Sequence, residues 1–219
     1  MKKSRYIQRK RLIDWGLKLG LPWFRRHLQN HVYDADFFLE ANTLKEQSAQ
    51  KVAEILAGAL SFQTVFDIGC GMGLYLAELS KLGKICTGCD ASPDGVRMAS
   101  ADVFVFRADA TRPIQVNRKS DLVICFEVAE HIAKRHSRQL VRNCTAHGWQ
   151  VAFTAAPPGQ GGVGHINEQP YEFWISLFGE QGFKHDSALS GRIREQMASQ
   201  GVVSWIANNL MIFNGPDAA

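Results

Sequence analysis

Residues Asp67 to Gly73 read DIGCGMG: an acid, then three glycines at alternate positions, directly after the apolar run TVF. Glycines at that spacing remove the Cβ atoms that would hold a ligand off the backbone, and they tolerate positive φ. The spacing excludes a dinucleotide fingerprint. G-x-G-x-x-G would need a third glycine at Leu74 counting from Gly69, or at Leu76 counting from Gly71. Two more acids close apolar runs, Asp90 after KICTGC and Asp109 after DVFVFRA. A second group follows DLVICF: Glu127, Glu130 and His131, at i, i+3 and i+4, share one face if the segment is helical. Two carboxylates and an imidazole offer ligands for a hard or borderline divalent cation. Equally, Glu127 caps and packs a helix while His131 alone serves as a general base. A third feature is PPGQGGVGHIN, residues 157–167, where two prolines stiffen the root and four glycines loosen the tip. Such a loop reads as a lid that delivers His165 or Asn167, with an ordinary surface loop as the alternative.

These residues need elements to carry them. The stretch from Thr43 has helical spacing, with Thr43 and Glu46 as a capping box. TVFDIG reads as a strand and GLYLAELSKLG as a helix closed by Gly83. KICTGCD is a strand on which Cys86 and Cys89 face opposite sides, against a shared zinc site. SPDGVRMASA is a short helix with Ser92 as cap and Pro93 in its first turn. DVFVFRAD and DLVICFE are strands; VAEHIAKRHSRQLVRNCT is expected to be helical up to Gly148. WQVAFTAAP is a strand and QPYEFWISLFGEQG a helix, with Phe173, Trp174 and Phe178 in the core. FKHDSAL is expected as a strand, SGRIREQMASQ as partly helical and ANNLMIFN as the last strand. Apolar strands alternating with amphipathic helices predict an α/β fold with a mainly parallel sheet covered on both faces.

With that order the glycines form the first strand-to-helix turn, and DIGCGMG resembles the first motif of the class I S-adenosylmethionine-dependent methyltransferases. The likeness runs from about Thr43 to Asn214 and implies a Rossmann-like, seven-stranded fold with S-adenosyl-L-methionine as cofactor. It implies that Asp67 faces the cationic amino end of the methionine and that Asp90 holds the ribose hydroxyls. Asp109, in RADAT, would contact the adenine amine, with the Ala110 backbone beside the ring. The implied cofactor set is Asp67, Gly69, Cys70, Gly71, Gly73, Asp90, Ala91, Asp109, Ala110 and Phe126. CFEVAEHI resembles the branch with E-x-x-E-H after the fourth strand, which holds ubiquinone-pathway and sugar or natural-product O-methyltransferases. Neither NPPY nor DPPY stands there. His131, Glu127 and His165 are the catalytic candidates that follow. The small-RNA 2′-O-methyltransferases are similar and add a distant histidine, implying a divalent ion (Mg or Mn) on Glu127, Glu130, His131 and His165. The departure is that His165 follows His131 closely, in an unlike loop.

Composition narrows the classes further. The chain has 219 residues, 46% hydrophobic and 21% charged, with five cysteines in no framework spacing. It fits one large domain with reduced thiols, expected to be cytoplasmic. Residues 1–30 carry nine Lys/Arg against Asp14 alone, interleaved with aromatics. We therefore expect a basic N-terminal helical extension over 1–42, broken near Pro22, and a catalytic domain over 43–219. The extension either packs on the domain or meets an anionic partner, a membrane surface or RNA. The readings in order are methylation of a hydroxyl on a small or carrier-linked metabolite, a metal-dependent RNA 2′-O-methyltransferase, and a non-catalytic binding subunit. His27, His31, His136, His147 and His185 are expected as surface or packing residues.

Overall fold

The computed structural model describes residues 48–216; the extension, its boundary and the Thr43–Glu46 capping box lie outside them. A helical segment, α1 (48–59), turns Val52, Ala53, Ile55 and Leu56 inward and leaves Gln50 and Glu54 exposed. Then follow β1 (Thr64–Ile68), α2 (Leu74–Lys81), β2 (Ile85–Asp90), α3 (Pro93–Arg97), β3 (Phe104–Arg107) and β4 (Ser120–Cys125). The second half holds α4 (Ser137–His147), β5 (Gly148–Phe153), α5 (Tyr171–Gly179), β6 (Lys184–His185), α6 (Ser187–Ser199), α7 (Ser204–Asn209) and β7 (Met211–Asn214).

The strands form one sheet in the order β3-β2-β1-β4-β5-β7-β6. All neighbours are parallel except β7, which runs antiparallel to β5 and β6. Alternate residues of the central strands feed two cores. Val65, Ile124 and Ile212 pack with Leu56, Leu76 and Ile193 on one face. Phe66, Val123 and Phe213 pack with Leu140, Trp174 and Phe178 on the other. Cys86 packs against the first core and Cys89 lies in the second, so the two thiols do face opposite sides. Strand order reverses between β1 and β4, and the crevice at the carboxyl ends of these strands is where an open α/β sheet takes its ligand.

Three expectations are corrected. The segment after β4 is not one helix: Ala129–His131 and Lys134–His136 are 3-10 turns, and α4 starts only at Ser137. The backbone oxygen of Glu130 accepts from Ile166 N and Asn167 N, at 2.8 and 3.1 Å, so the incoming loop takes the acceptor a helix would use. FKHDSAL keeps only two strand residues, because Asp186 accepts from Leu189 N at 2.9 Å and caps α6, which is helical throughout. The last strand starts at Met211; ANN belongs to α7.

Candidate active site

The glycine turn is built as its sequence requires. Gly69 N and Cys70 N both donate to Cys89 O, at 2.8 and 3.1 Å, pinning the turn to the end of β2. Gly69, Gly71 and Gly73 have φ of 79, 56 and 72°. At Gly69 a Cβ would stand 2.4 Å from Val128 Cγ2, so the turn after β1 and the turn after β4 touch only because glycine is there. Asp67 is buried at the end of β1. Asp90 Oδ2 accepts from Gly71 N at 2.8 Å and Oδ1 from Ser92 N at 2.7 Å, so this acid also orients the turn. Burial, followed by the charges of Asp67 and Asp90, pushes the Cys70 thiol well above its ordinary pKa and keeps it protonated.

Farther along the crevice, Asp109 follows β3, with Oδ1 accepting from Thr111 N and Oγ1 at 2.9 and 2.7 Å. Ala91 is exposed, and its carbonyl accepts from Arg107 Nε at 3.3 Å. The Ala110 carbonyl accepts from Asn143 Nδ2 at 2.9 Å. Asn143, from α4, also accepts from Ile114 N, bracing the loop after β3; spacing alone did not single it out. Phe126 is buried and meets Tyr75 edge-on, centroids 5.3 Å apart.

After β4 the backbone is unusual. Glu127 has φ 57°, the one non-glycine residue with positive φ among the described residues. Glu127 N donates to Thr154 Oγ1, which donates in turn to Glu127 Oε1, both at 2.9 Å. Thr154, fully buried beyond β5, is thus a second residue that only folding brings to the site. Glu130 is buried, and His131 Nδ1 lies 3.3 Å from Gly164 O. The His131 and His165 rings meet edge-on with centroids 5.0 Å apart. One ligand atom each from Glu130, His131 and His165 lies within 4.8 Å of the others, so three of the four metal-ligand candidates converge. Glu127 is outside that group, and it does not share a helical face with Glu130 and His131.

The 157–167 loop sits against this cluster. His165 Nδ1 lies 3.0 Å from Glu168 Oε1. Glu168 also accepts from Gly159 N at 2.8 Å and Gly161 N at 2.7 Å. Burial alone would raise the Glu168 pKa, but the bonds from His165, Gly159 and Gly161 outweigh it and lower the pKa. Glu168 was missed in the sequence; its signal was a carboxylate three residues past a loop histidine. Asn167 is not delivered to a ligand. Buried, it donates from Nδ2 to Ala129 O and Ser137 Oγ, at 3.1 and 3.0 Å, and anchors the loop.

Between this loop and α7 lies a cavity of about 500 Å³, lined by Glu127, Gln160, Gly161, Gly162, His165, Ser204, Trp205, Asn208 and Asn209. His131 is not in its lining. Asn209 donates to Gln160 Oε1 at 2.8 Å and accepts from Tyr171 O–H at 2.9 Å, tying loop, α5 and α7 together. The α7 residues were also missed, since no motif marks them. Of the other described histidines, His147 packs on Phe66 and the Ile114 carbonyl and His185 on Phe213 and Ser190, while His136 is half-buried in the second 3-10 turn. Trp174 and Phe178 are core as expected, but Phe173 is only half-buried and packs against the edge of that core.

Residues 65–147 match a family model described as a methyltransferase domain. The ubiquinone biosynthesis O-methyltransferase of Bordetella avium (strain 197N) is 27% identical over 138 residues, 58% of this chain and 52% of that protein. That of Methylobacterium sp. (strain 4-46) is 34% identical over 77 residues, 32% of this chain and 31% of its own length. The chain thus spans about half the length of the relatives it matches, or less. Among solved structures, a sugar N-methyltransferase from Streptoalloteichus sp. ATCC 53650 superposes with a TM-score of 0.62 at 15% identity, covering 82% of this chain and 92% of the other. The magnesium protoporphyrin IX methyltransferase of Synechocystis PCC 6803 with bound SAH does so with 0.59 at 16% identity, covering 73% and 90%. Identities that low speak for the fold rather than the reaction.

Proposed function

We propose that the chain is a class I S-adenosylmethionine-dependent methyltransferase and that it transfers the cofactor's methyl group to a hydroxyl of a small or carrier-linked metabolite, with a sugar or lipid-linked glycan favoured. The observation that carries the reading is the cavity beside Glu127 and His165. Its size suits a small molecule, its polar lining is amide, hydroxyl, imidazole and one carboxylate, and Trp205 adds a ring face. Among the described residues no Lys or Arg lines it, which weighs against a phosphate-rich chain lying there.

Asp67, Asp90 and Asp109 are assigned to the methionine ammonium, the ribose hydroxyls and the adenine amine, around the Gly69–Gly73 turn. The sulfonium methyl is already activated, so the protein's task is to align the acceptor oxygen in line with the C–S bond. His165 would take the proton of an acceptor hydroxyl held against it, and bound S-adenosylmethionine would supply the activated methyl group. His131 stands behind His165, in edge-on contact with its ring and outside the cavity lining.

A second reading places a divalent ion on Glu130, His131 and His165, supported by their mutual proximity. One carboxylate and two imidazoles suit Mn better than Mg, which prefers oxygen ligands. Such an ion would make an acceptor hydroxyl more acidic. The basic segment 1–30 is assigned to an anionic partner, a membrane surface in the metabolite reading and RNA in the alternative.

The test is transfer of labelled methyl from the cofactor into a cell lysate, partitioned into organic, nuclease-treated aqueous and small-molecule fractions. Label in nuclease-resistant fractions supports the metabolite reading. Label lost on ribonuclease treatment favours the RNA alternative, and stimulation by Mn with it. A chain that binds the cofactor but labels nothing, with or without metal, points to the non-catalytic subunit.

A further inference from the structure

We propose that Glu168 is the positioning residue of the acceptor site: its carboxylate both clasps the glycine-rich loop and holds His165 with the Nε2 lone pair toward the cavity. The inference rests on the assignment of His165 as the acceptor-side base. Glu168 Oε1 meets His165 Nδ1 at 3.0 Å and Gly161 N at 2.7 Å, while Oε2 meets Gly159 N at 2.8 Å. An ionised carboxylate only accepts hydrogen bonds, so the contact requires Nδ1 to carry the proton; the neutral ring then has its lone pair on Nε2. The Nε2 edge is the one that abuts Gly162, where an added Cβ would stand 2.2 Å from Nε2, and both residues line the cavity. A ring in the other tautomer would present an N–H to the acceptor hydroxyl and could not take its proton. Because Gly159 and Gly161 hang on the same carboxylate, closing the loop and setting the base are one event. Gly159 and Gly161 both have positive φ, at 88 and 69°, and Glu168 pulls their N–H groups to one point.

Two nuclear magnetic resonance readouts on the full chain test this without any acceptor. Long-range proton–nitrogen correlation of the His165 ring is expected to report the Nδ1–H tautomer in the parent and a shift toward Nε2–H in Glu168→Gln. Amide exchange at Gly159 and Gly161 is expected to rise about tenfold in Glu168→Gln, the factor set by losing about one hydrogen bond. In His165→Ala the two amides are expected to stay protected, since Glu168 still holds them. A parent ring in the Nε2–H tautomer, or unchanged exchange in Glu168→Gln, overturns the proposal; should that variant unfold, the parent tautomer alone decides. Calorimetric titration of S-adenosylmethionine separates the two ideas. Failure of the parent to bind it would sink the function proposed above while the ring and loop measurements stand, and equal affinity in Glu168→Gln is expected because, among the described residues, its carboxylate bonds to Gly159, Gly161 and His165, none of them assigned to the cofactor.

Discussion

Glu127 holds a backbone conformation that costs of the order of 1–3 kcal/mol for a side-chain-bearing residue, and it is kept there by two bonds to Thr154. The strain puts its carboxylate on the cavity wall instead of on a helix with Glu130 and His131. At this scale two substitutions separate cofactor from acceptor. Asp67→Asn removes the charge assigned to the methionine ammonium, and calorimetry should show S-adenosylmethionine bound at least about tenfold more weakly. Gly162→Ala should leave that affinity alone. Gly162 has no positive φ, so its backbone accepts alanine, but the new Cβ would occupy the place of His165 Nε2. The ring must move, and transfer of labelled methyl should fall by about tenfold to a hundredfold, as displacement of a reacting group by an ångström does.

Elements are locked to one another by a few polar contacts at the strand ends. Asp121, in β4, accepts from Gln63 N, Thr64 N and Thr64 Oγ1 at 2.8, 2.8 and 2.9 Å, clamping the start of β1. Burial alone would raise its pKa; these bonds and the charge of Lys84 outweigh it and lower the pKa below the ordinary 3.8. A depressed folded-state pKa stabilises the fold above the unfolded value, and that contribution is lost as pH falls through the folded one. Asp121→Asn should cost about 1–3 kcal/mol in denaturant unfolding at pH 7, with the gap to the parent closing below about pH 4. At the other end of β1, Gly69→Ala should destabilise by about 1–3 kcal/mol through its Val128 contact and its φ of 79°. Val128→Ala in the same chain should recover only the steric part, since the backbone strain stays; unfolding of the double variant reads the difference.

The described residues form two cores pressed on one sheet, with the groups assigned above to cofactor and acceptor beyond the carboxyl ends of β1, β2, β3, β4 and β5. Among the described residues no helix is long and apolar enough to cross a membrane. A ligand that binds only the folded state adds about 2.7 kcal/mol at a hundredfold excess over its Kd, or roughly 5–10 °C in Tm for a chain of this size. S-adenosylmethionine should therefore raise the melting temperature by that amount, and tenfold weaker binding in Asp67→Asn should cut the shift to about half. The alternation of apolar runs and amphipathic helices determined the order of strands along the chain. The glycines and the acids at 67, 90 and 109 were legible because a backbone approach and a strand end each leave a local mark. Local residues could not say that Glu130 spends its carbonyl on Ile166 and Asn167 instead of a helix, since that acceptor is claimed from 36 residues away. Nor could they foresee Thr154 behind Glu127, Asn209 on Gln160, or Glu168 holding the loop. Periodicity records which face of an element is apolar, whereas a hydrogen bond between two loops depends on where the packed sheet has carried them, and only the tertiary structure decides that.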